Sequence, residues 1–124
     1  MVVILKPASI TMGDPAGIGP EIIVKALSRL ESNDRYIVFG CPRVIQRAIQ
    51  TSSVEMVVNK ITNIEEATFK PNVIEVLETS SFKELPIFGK TSEDNGKSAF
   101  KAITSSIEYA LDGKVSSIVT APIN

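Results

Sequence analysis

The chain has 124 residues, of which 44% are hydrophobic and 22% are charged, and its formal net charge is -1. This length suits one globular domain, and the balanced charge excludes a nucleic-acid-binding surface built on a basic patch. No apolar run approaches the ~20 residues that cross a membrane. The sequence contains no histidine, which excludes a His-ligated metal centre and a His-activated nucleophile within this chain.

The first half of the chain alternates between strand and helix patterns. Residues 8–12 predict a short strand, and the Gly- and Pro-rich loop after it leads into a helix that opens at Pro20 and Glu21. Residues 36–39 are a continuous apolar run, which is typical of a buried parallel strand. A shorter helix is predicted over residues 44–49.

The second half continues the alternation. Residues 54–58 and 73–77 predict two more strands, and residues 78–95 are interpreted as mostly loop because they are polar and irregular. Residues 96–111 form the clearest helical pattern, and residues 115–120 predict a final buried strand. The apolar face predicted for that helix consists of Ala99, Phe100, Ile103, Ile107, Ala110 and Leu111.

The order of these elements predicts an α/β fold with a mostly parallel sheet flanked by helices, in one domain over residues 1–124. The chain stops at Asn124, directly after the last predicted strand. Ligands of open α/β sheets lie at the carboxyl ends of the strands, so a natural protein would rarely end there. The sequence therefore predicts that the chain is truncated and the domain incomplete.

The loop between the first strand and the first helix carries Gly13, Gly17 and Gly19, together with Asp14. Glycines let the backbone approach another group closely, and a helix start offers free N–H groups that suit an anion. Asp14 has three open roles, which are to hold a ribose hydroxyl, a cation or a loop N–H. The dinucleotide fingerprint is incomplete because Ile22 stands where its third glycine belongs. The glycine pattern by itself favours a tight strand-to-helix turn.

The full string over residues 11–21, TMGDPAGIGPE, resembles the opening of the 4-hydroxythreonine-4-phosphate dehydrogenase family. The Pro15-Ala16 pair favours this family over the isocitrate and isopropylmalate dehydrogenases, which share the fold and open on a shorter version. A second match is the helix from Gly96 leading into IVTAPIN over residues 118–124. The resemblance spans essentially the whole chain and implies the amino-terminal domain of a larger two-domain enzyme.

This resemblance implies an NAD-dependent dehydrogenase that oxidises and decarboxylates 4-phosphooxy-L-threonine in pyridoxine and pyridoxal phosphate biosynthesis. Related members act on D-threonate or D-erythronate 4-phosphate. The family uses a divalent metal (Zn, Mg or Co) held by three histidines, and it forms cytoplasmic homodimers without nucleic-acid or membrane partners. Because no histidine is present, we expect this chain to contain no catalytic or metal-binding residue and to be inactive alone.

The resemblance also implies which residues line the cleft. The loop is expected on the cofactor side, and the end of the last strand is expected near the substrate. We expect that neither NAD nor the metal is held firmly by this chain alone. The cofactor-side residues are Gly13, Asp14, Pro15, Gly17 and Gly19, and the substrate-proximal residues are Thr120, Pro122 and Asn124.

A P-loop is an alternative interpretation of Gly96-Lys97-Ser98 at a helix start. That motif needs a glycine five residues earlier, where Thr91 stands. The sequence instead favours an ordinary helix start capped by Asp94 or Asn95.

Two further groups of residues are interpreted structurally. Cys41 is predicted to be a small buried residue rather than a reactive thiol. No two of the acidic residues have a spacing that places both on one helical face, so we predict a solvated surface. These acidic residues are Glu75, Glu78, Glu84, Glu93 and Asp94.

Two other hypotheses for the chain stay open. The loop around Gly13–Glu21 could bind a phosphorylated ligand without catalysis, as a stand-alone module. Alternatively, unpaired sheet edges could recruit another chain, which predicts dimers or aggregates in solution.

Overall fold

The computed structural model describes residues 6–31 and 34–123. The strands are β1 (Ala8–Thr11), β2 (Tyr36–Gly40), β3 (Val57–Ile61), β4 (Val73–Glu78) and β5 (Ile118–Thr120). The helices are α1 (Gly19–Ser28), α2 (Pro42–Ser52) and α3 (Glu93–Leu111), with a short 3₁₀ turn at Ile64–Glu66. None of the helices in this part of the chain is long and apolar enough to cross a membrane.

The described strands form one five-stranded sheet in the order β3-β4-β2-β1-β5, and every pairing is parallel. Helices α1 and α2 pack on one face of the sheet, and α3 packs on the other. Strand β1 lies between β2 and β5, with Thr11 opposite both Phe39 and Thr120. The predicted α/β fold with a parallel sheet is confirmed.

Each face of the sheet has its own apolar core, because successive side chains of a strand point to opposite faces. Val38 of β2 lies in the core beneath α1 and α2, whereas Ile37 and Phe39 lie in the core beneath α3. Phe39 is fully buried and meets the ring of Tyr109 edge to face, with centroids 5.4 Å apart. Strand β2 is thus buried on both sides, as its apolar run predicts.

The third strand lies three residues later than the sequence predicts. Helix α2 extends to Ser52, and Ser53 turns the chain with a left-handed φ of 55°. Val54 and Met56 then pack against the core from a loop rather than from a strand. Their apolar character reflects this packing, so the strand predicted over residues 54–58 was wrong in its first three residues and begins only at Val57.

The last strand is shorter and more exposed than predicted. Residues 115–120 were expected to form a buried strand, but β5 contains only the last three of them. Ile118 and Val119 are 38% and 50% exposed. Within the described sheet β5 is an edge strand, paired only with β1, and an edge leaves side chains uncovered.

Helix α3 begins earlier than predicted, and a different residue caps it. The hydroxyl of Ser92 accepts a hydrogen bond from the backbone N–H of Asn95 at 3.1 Å. The expectation that Asp94 or Asn95 caps the helix was therefore wrong. Serine is a strong N-cap residue, and Glu93 and Asp94 instead occupy the first turn, where carboxylates favour the helix dipole.

The face that α3 turns toward the sheet also differs from the prediction. Its buried residues are small or polar: Asn95, Ser98, Ala99, Ala102 and Ser106. Ser106 forms a buried hydrogen bond with the hydroxyl of Ser9 on β1. The large apolar residues Phe100, Ile107 and Leu111 are 70%, 45% and 82% exposed. Small side chains let the helix lie close to the sheet, so only Ala99 of the predicted face is buried there.

One of the acidic residues is buried, contrary to prediction. Glu75 is 2% exposed and accepts hydrogen bonds from the side-chain amide of Asn59 at 2.6 Å and the backbone N–H of Thr68 at 3.3 Å. Its position on β4 places it under the segment around Thr68, where its carboxylate is satisfied without solvent. Glu84, Glu93 and Asp94 are exposed as predicted, and Glu78 is partly exposed.

Cys41 is 1% exposed, which confirms the predicted buried position. It precedes α2 directly, and its backbone N–H contacts the sulfur of Met12 at 3.5 Å. Its thiol is free, with no disulfide bond.

Candidate functional site

The two sequence motifs meet at the carboxyl end of the sheet. The Gly-rich loop (residues 12–18) follows β1, and residues 121–123 follow the neighbouring strand β5. The backbone N–H of Ala121 donates to the carbonyl of Thr11 at 3.1 Å, and that of Asp14 donates to the carbonyl of Pro122 at 3.1 Å. We call this unit, residues 12–18 with residues 121–123, the motif junction.

Two glycines are required by the close packing of the motif junction. Gly13 has a φ of +77°, and a Cβ there would overlap the carbonyl oxygen of Pro122. A Cβ on Gly19 would lie 2.6 Å from the carbonyl oxygen of Met12 and 3.2 Å from the Cβ of Ala121. These glycines are therefore explained by protein packing, as expected for a tight strand-to-helix turn.

Asp14 organises the loop from within. Its carboxylate accepts a hydrogen bond from the backbone N–H of Ala16 at 2.9 Å, and its carbonyl accepts one from the N–H of Gly17 at 3.1 Å. Of the three roles left open for Asp14, the loop N–H contact is the one present. Asp14 also lines a cavity of about 50 Å³ with Asn95 and Ile123, between the motif junction and the start of α3.

Helix α1 starts from this loop without a side-chain cap. The side chain of its N-cap residue, Ile18, has no hydrogen-bond acceptor, and the first turn contains Pro20 and Glu21. The first N–H groups of a helix lack partners within the helix, and the dipole there is positive. The loop thus retains the electrostatic character of an anion site.

A segment that the sequence left as loop packs against the motif junction. Residues 82–90, here called the strap, run across α2 toward the Gly-rich loop. The backbone N–H of Gly89 donates to the carbonyl of Ala16 at 2.8 Å, and Arg43 donates to the carbonyl of Phe82 at 2.7 Å. The sequence feature that could have indicated this contact is the pair of Arg43 and Arg47, which lie one helical turn apart.

A cavity of about 560 Å³ lies away from the motif junction, between the end of α1 and the segment before β4. Leu27, Tyr36, Phe69 and Asn72 line it, which places it at the amino ends of β2 and β4. Parallel sheets bind ligands at the opposite, carboxyl end. We therefore locate the candidate site at the motif junction rather than in this larger cavity.

The described residues contain no complete set of ligands for a divalent metal. Within residues 6–31 and 34–123, no group of three or more His, Cys, Asp or Glu side chains could hold one. The whole sequence also lacks histidine.

The structure brings most of the predicted site residues together. Gly13, Asp14, Pro15, Gly17 and Gly19 lie in the loop or at the start of α1, beside Thr120 and Pro122. Asn124 lies outside the described residues. Contact with a ligand stays a prediction for all of them, whereas the structure shows that Asp14 is hydrogen-bonded to Pro122 and Gly17.

Comparison with known proteins decides the family. The model for pyridoxal phosphate biosynthetic protein PdxA matches residues 32–124. This chain belongs to the PdxA family. The chain is 41% identical over 124 residues to a 4-hydroxythreonine-4-phosphate dehydrogenase of Beijerinckia indica, covering 100% of this chain and 37% of that protein. It is also 41% identical over 124 residues to the D-threonate 4-phosphate dehydrogenase of Salmonella typhimurium, covering 96% of this chain and 37% of that protein.

Solved structures agree with this family assignment. A 4-hydroxythreonine-4-phosphate dehydrogenase of Burkholderia phymatum superposes with a TM-score of 0.92 at 32% identity, covering 98% of this chain and 38% of that one. The Klebsiella pneumoniae enzyme of the same name has a TM-score of 0.87 at 34% identity, with 96% and 38% coverage. This PdxA chain therefore spans little more than a third of the relatives that it matches.

Proposed function

We propose that the full-length protein carrying this chain is an NAD-dependent dehydrogenase that oxidises and decarboxylates 4-phosphooxy-L-threonine. The observation that carries the proposal is the motif junction, where the two family motifs form one hydrogen-bonded unit at the carboxyl end of a parallel sheet. This chain would be the incomplete amino-terminal domain of a two-domain, homodimeric, cytoplasmic enzyme. A divalent metal would be held by residues outside this chain.

The residues present fit one wall of a cofactor site. The start of α1, which has no side-chain cap, directs the positive end of its dipole toward a phosphate of the dinucleotide. Asp14 holds the loop before this helix in shape through the N–H of Ala16. Bound NAD supplies the hydride acceptor. The role of this chain is to bind and orient the cofactor, while catalysis belongs to residues beyond it.

The alternative substrate within the family is D-threonate or D-erythronate 4-phosphate. The PdxA chain is equally similar, at 41% identity, to a relative named for each of the two activities. The motif junction contains no residue that would distinguish these phosphorylated acids. The choice between them therefore requires the full-length protein.

The test is an assay of the full-length protein with NAD, a divalent metal and each phosphorylated acid, following NADH absorbance. We expect turnover with 4-phosphooxy-L-threonine. Faster turnover of D-threonate 4-phosphate would favour the alternative substrate, and no NADH with any of these acids would contradict the proposal. The 124-residue chain alone is expected to be inactive in the same assay.

A non-catalytic binding module is a second candidate, favoured by the uncapped start of α1. Thermal-shift titration of the 124-residue chain with NAD and with phosphorylated acids tests it. Stabilisation without turnover by the full-length protein would support a module. The absence of a shift with any of these anions would count against it.

A further inference from the structure

Arg47 lies in the middle of α2, outside both family motifs, and joins three segments of the chain. Its guanidinium donates one hydrogen bond to the carbonyl of Pro86 in the strap at 2.5 Å and another to the carbonyl of Pro15 in the Gly-rich loop at 3.2 Å. It also lies over the ring of Phe88, 4.1 Å from the centroid. Burial lowers the pKa of Arg47, whereas the neighbouring Cys41 opposes that shift.

These contacts converge on the Pro15-Ala16 pair, the two residues that lengthen the Gly-rich loop. The guanidinium of Arg47 donates a hydrogen bond to the carbonyl of Pro15, and the N–H of Gly89 donates one to the carbonyl of Ala16 at 2.8 Å. The N–H of Ala16 is in turn held by the carboxylate of Asp14. The pair is therefore fixed from the strap side and from the loop side together.

The space enclosed by these groups is nearly filled. The cavity bounded by Pro15, Arg47 and Phe88 has a volume of about 10 Å³. A water molecule needs at least ~10–15 Å³ and two to four polar partners, so little solvent fits beside the guanidinium while it is in place. Removal of Arg47 would take away the side-chain donor that the structure gives to the carbonyls of Pro15 and Pro86.

We propose that Arg47 is a positioning residue for the candidate site. It acts through Pro15 and the strap to hold Asp14 and the start of α1 in the geometry that receives an anionic cofactor. Its neighbour Arg43 contacts the strap at a different place, where its guanidinium donates to the carbonyl of Phe82. Arg43 is therefore the matched control, because the two arginines lie one turn apart on the same helix.

The first test is amide hydrogen exchange in the ¹⁵N-labelled 124-residue chain, which needs no activity. Arg47→Met should accelerate exchange of the Gly89 and Gly17 amides by about tenfold or more, because loss of a hydrogen bond to a charged group costs about 1.5–3 kcal/mol. The Thr79 amide, bonded to the carbonyl of Gly40, should keep its rate. Unchanged exchange at Gly89 and Gly17 would overturn the proposal.

The second test is kinetic, uses the full-length protein and rests on the proposed function. Arg47→Met should raise the KM for NAD about tenfold while kcat at saturating NAD changes much less, since the loop shapes binding. Arg47→Lys should recover part of this loss, because an ammonium reaches one carbonyl but cannot span two and stack. Arg43→Met should leave the KM for NAD within about twofold.

The outcomes of the two tests separate the inference from the proposed function. If Arg43→Met raises the KM as much as Arg47→Met, the effect belongs to the strap as a whole and the proposal fails. If the full-length protein has no dehydrogenase activity but exchange changes as expected, the proposed function fails and the positioning contact stands. Should Arg47→Met not fold, Arg47→Lys provides both readouts.

Discussion

Gly13 combines two constraints that no other residue type meets. Its φ of +77° disfavours a side chain, and the carbonyl of Pro122 occupies the space that a Cβ would need. Gly89 has almost the same backbone conformation, with a φ of +76°, but nothing lies within 4 Å of its Cβ position. Comparison of alanine substitutions at Gly13 and Gly89 therefore separates the energetic cost of backbone strain from the cost of disturbing the motif junction.

We expect Gly13→Ala to lower the free energy of unfolding by about 3 kcal/mol or more, since strain and overlap add. Gly89→Ala should lower it by only about 1–2 kcal/mol, the cost of a left-handed backbone alone. Urea titration of both variants, monitored by circular dichroism, measures the difference. Equal losses would mean that the close approach of residues 121–123 does not constrain the loop.

At the scale of elements, α3 lies against the sheet through small side chains. Ala102 is fully buried between the helix and the second core, whereas neighbouring Lys101 is exposed. Ser9 and Ser106 bridge strand and helix by a hydroxyl pair that has no room for larger groups. The close approach of α3 therefore depends on side-chain size rather than on hydrophobic area.

Ala102→Leu is expected to destabilise the fold by about 1–3 kcal/mol, because the added carbons overfill a packed interface. The matched control, Lys101→Leu, adds the same side chain to the exposed side and should change stability by about 0.5 kcal/mol or less. Chemical denaturation compares them. A stable Ala102→Leu variant would indicate a looser helix–sheet interface than the structure has.

At the scale of the whole molecule, two apolar areas of the described residues are uncovered. Phe100, Ile107 and Leu111 are exposed on the outer side of α3, and Ile118 and Val119 are exposed on the edge strand β5. Exposed apolar side chains and an open strand edge both favour association.

We therefore expect the 124-residue chain to form dimers or larger species at micromolar concentrations. Phe100→Glu combined with Leu111→Glu should shift it toward the monomer, because buried charges oppose association. Ile87→Glu is the control, since Ile87 is 63% exposed but belongs to the strap. Size-exclusion chromatography with light scattering measures the mass, and a monomer from the unsubstituted chain would contradict the expectation.

Local sequence determined the element types and the parallel sheet, because apolar periodicity and turn residues act over short stretches. It also determined the family, through the two motifs at residues 11–21 and 118–124. Their joining into one unit followed from sheet order, with β1 beside β5, which local periodicity does not encode.

Only the tertiary structure decided which face of α3 is buried, where β3 begins, and that Glu75 is buried while β5 is exposed. The large residues of α3 gave the stronger periodic signal, but close helix–sheet approach selected the small ones. The role of Arg47 could not be predicted from the sequence for the same reason, because the carbonyls that it binds belong to Pro15 and Pro86, which are distant along the chain. Contacts between distant backbone groups depend on how the whole chain packs, and no local pattern records them.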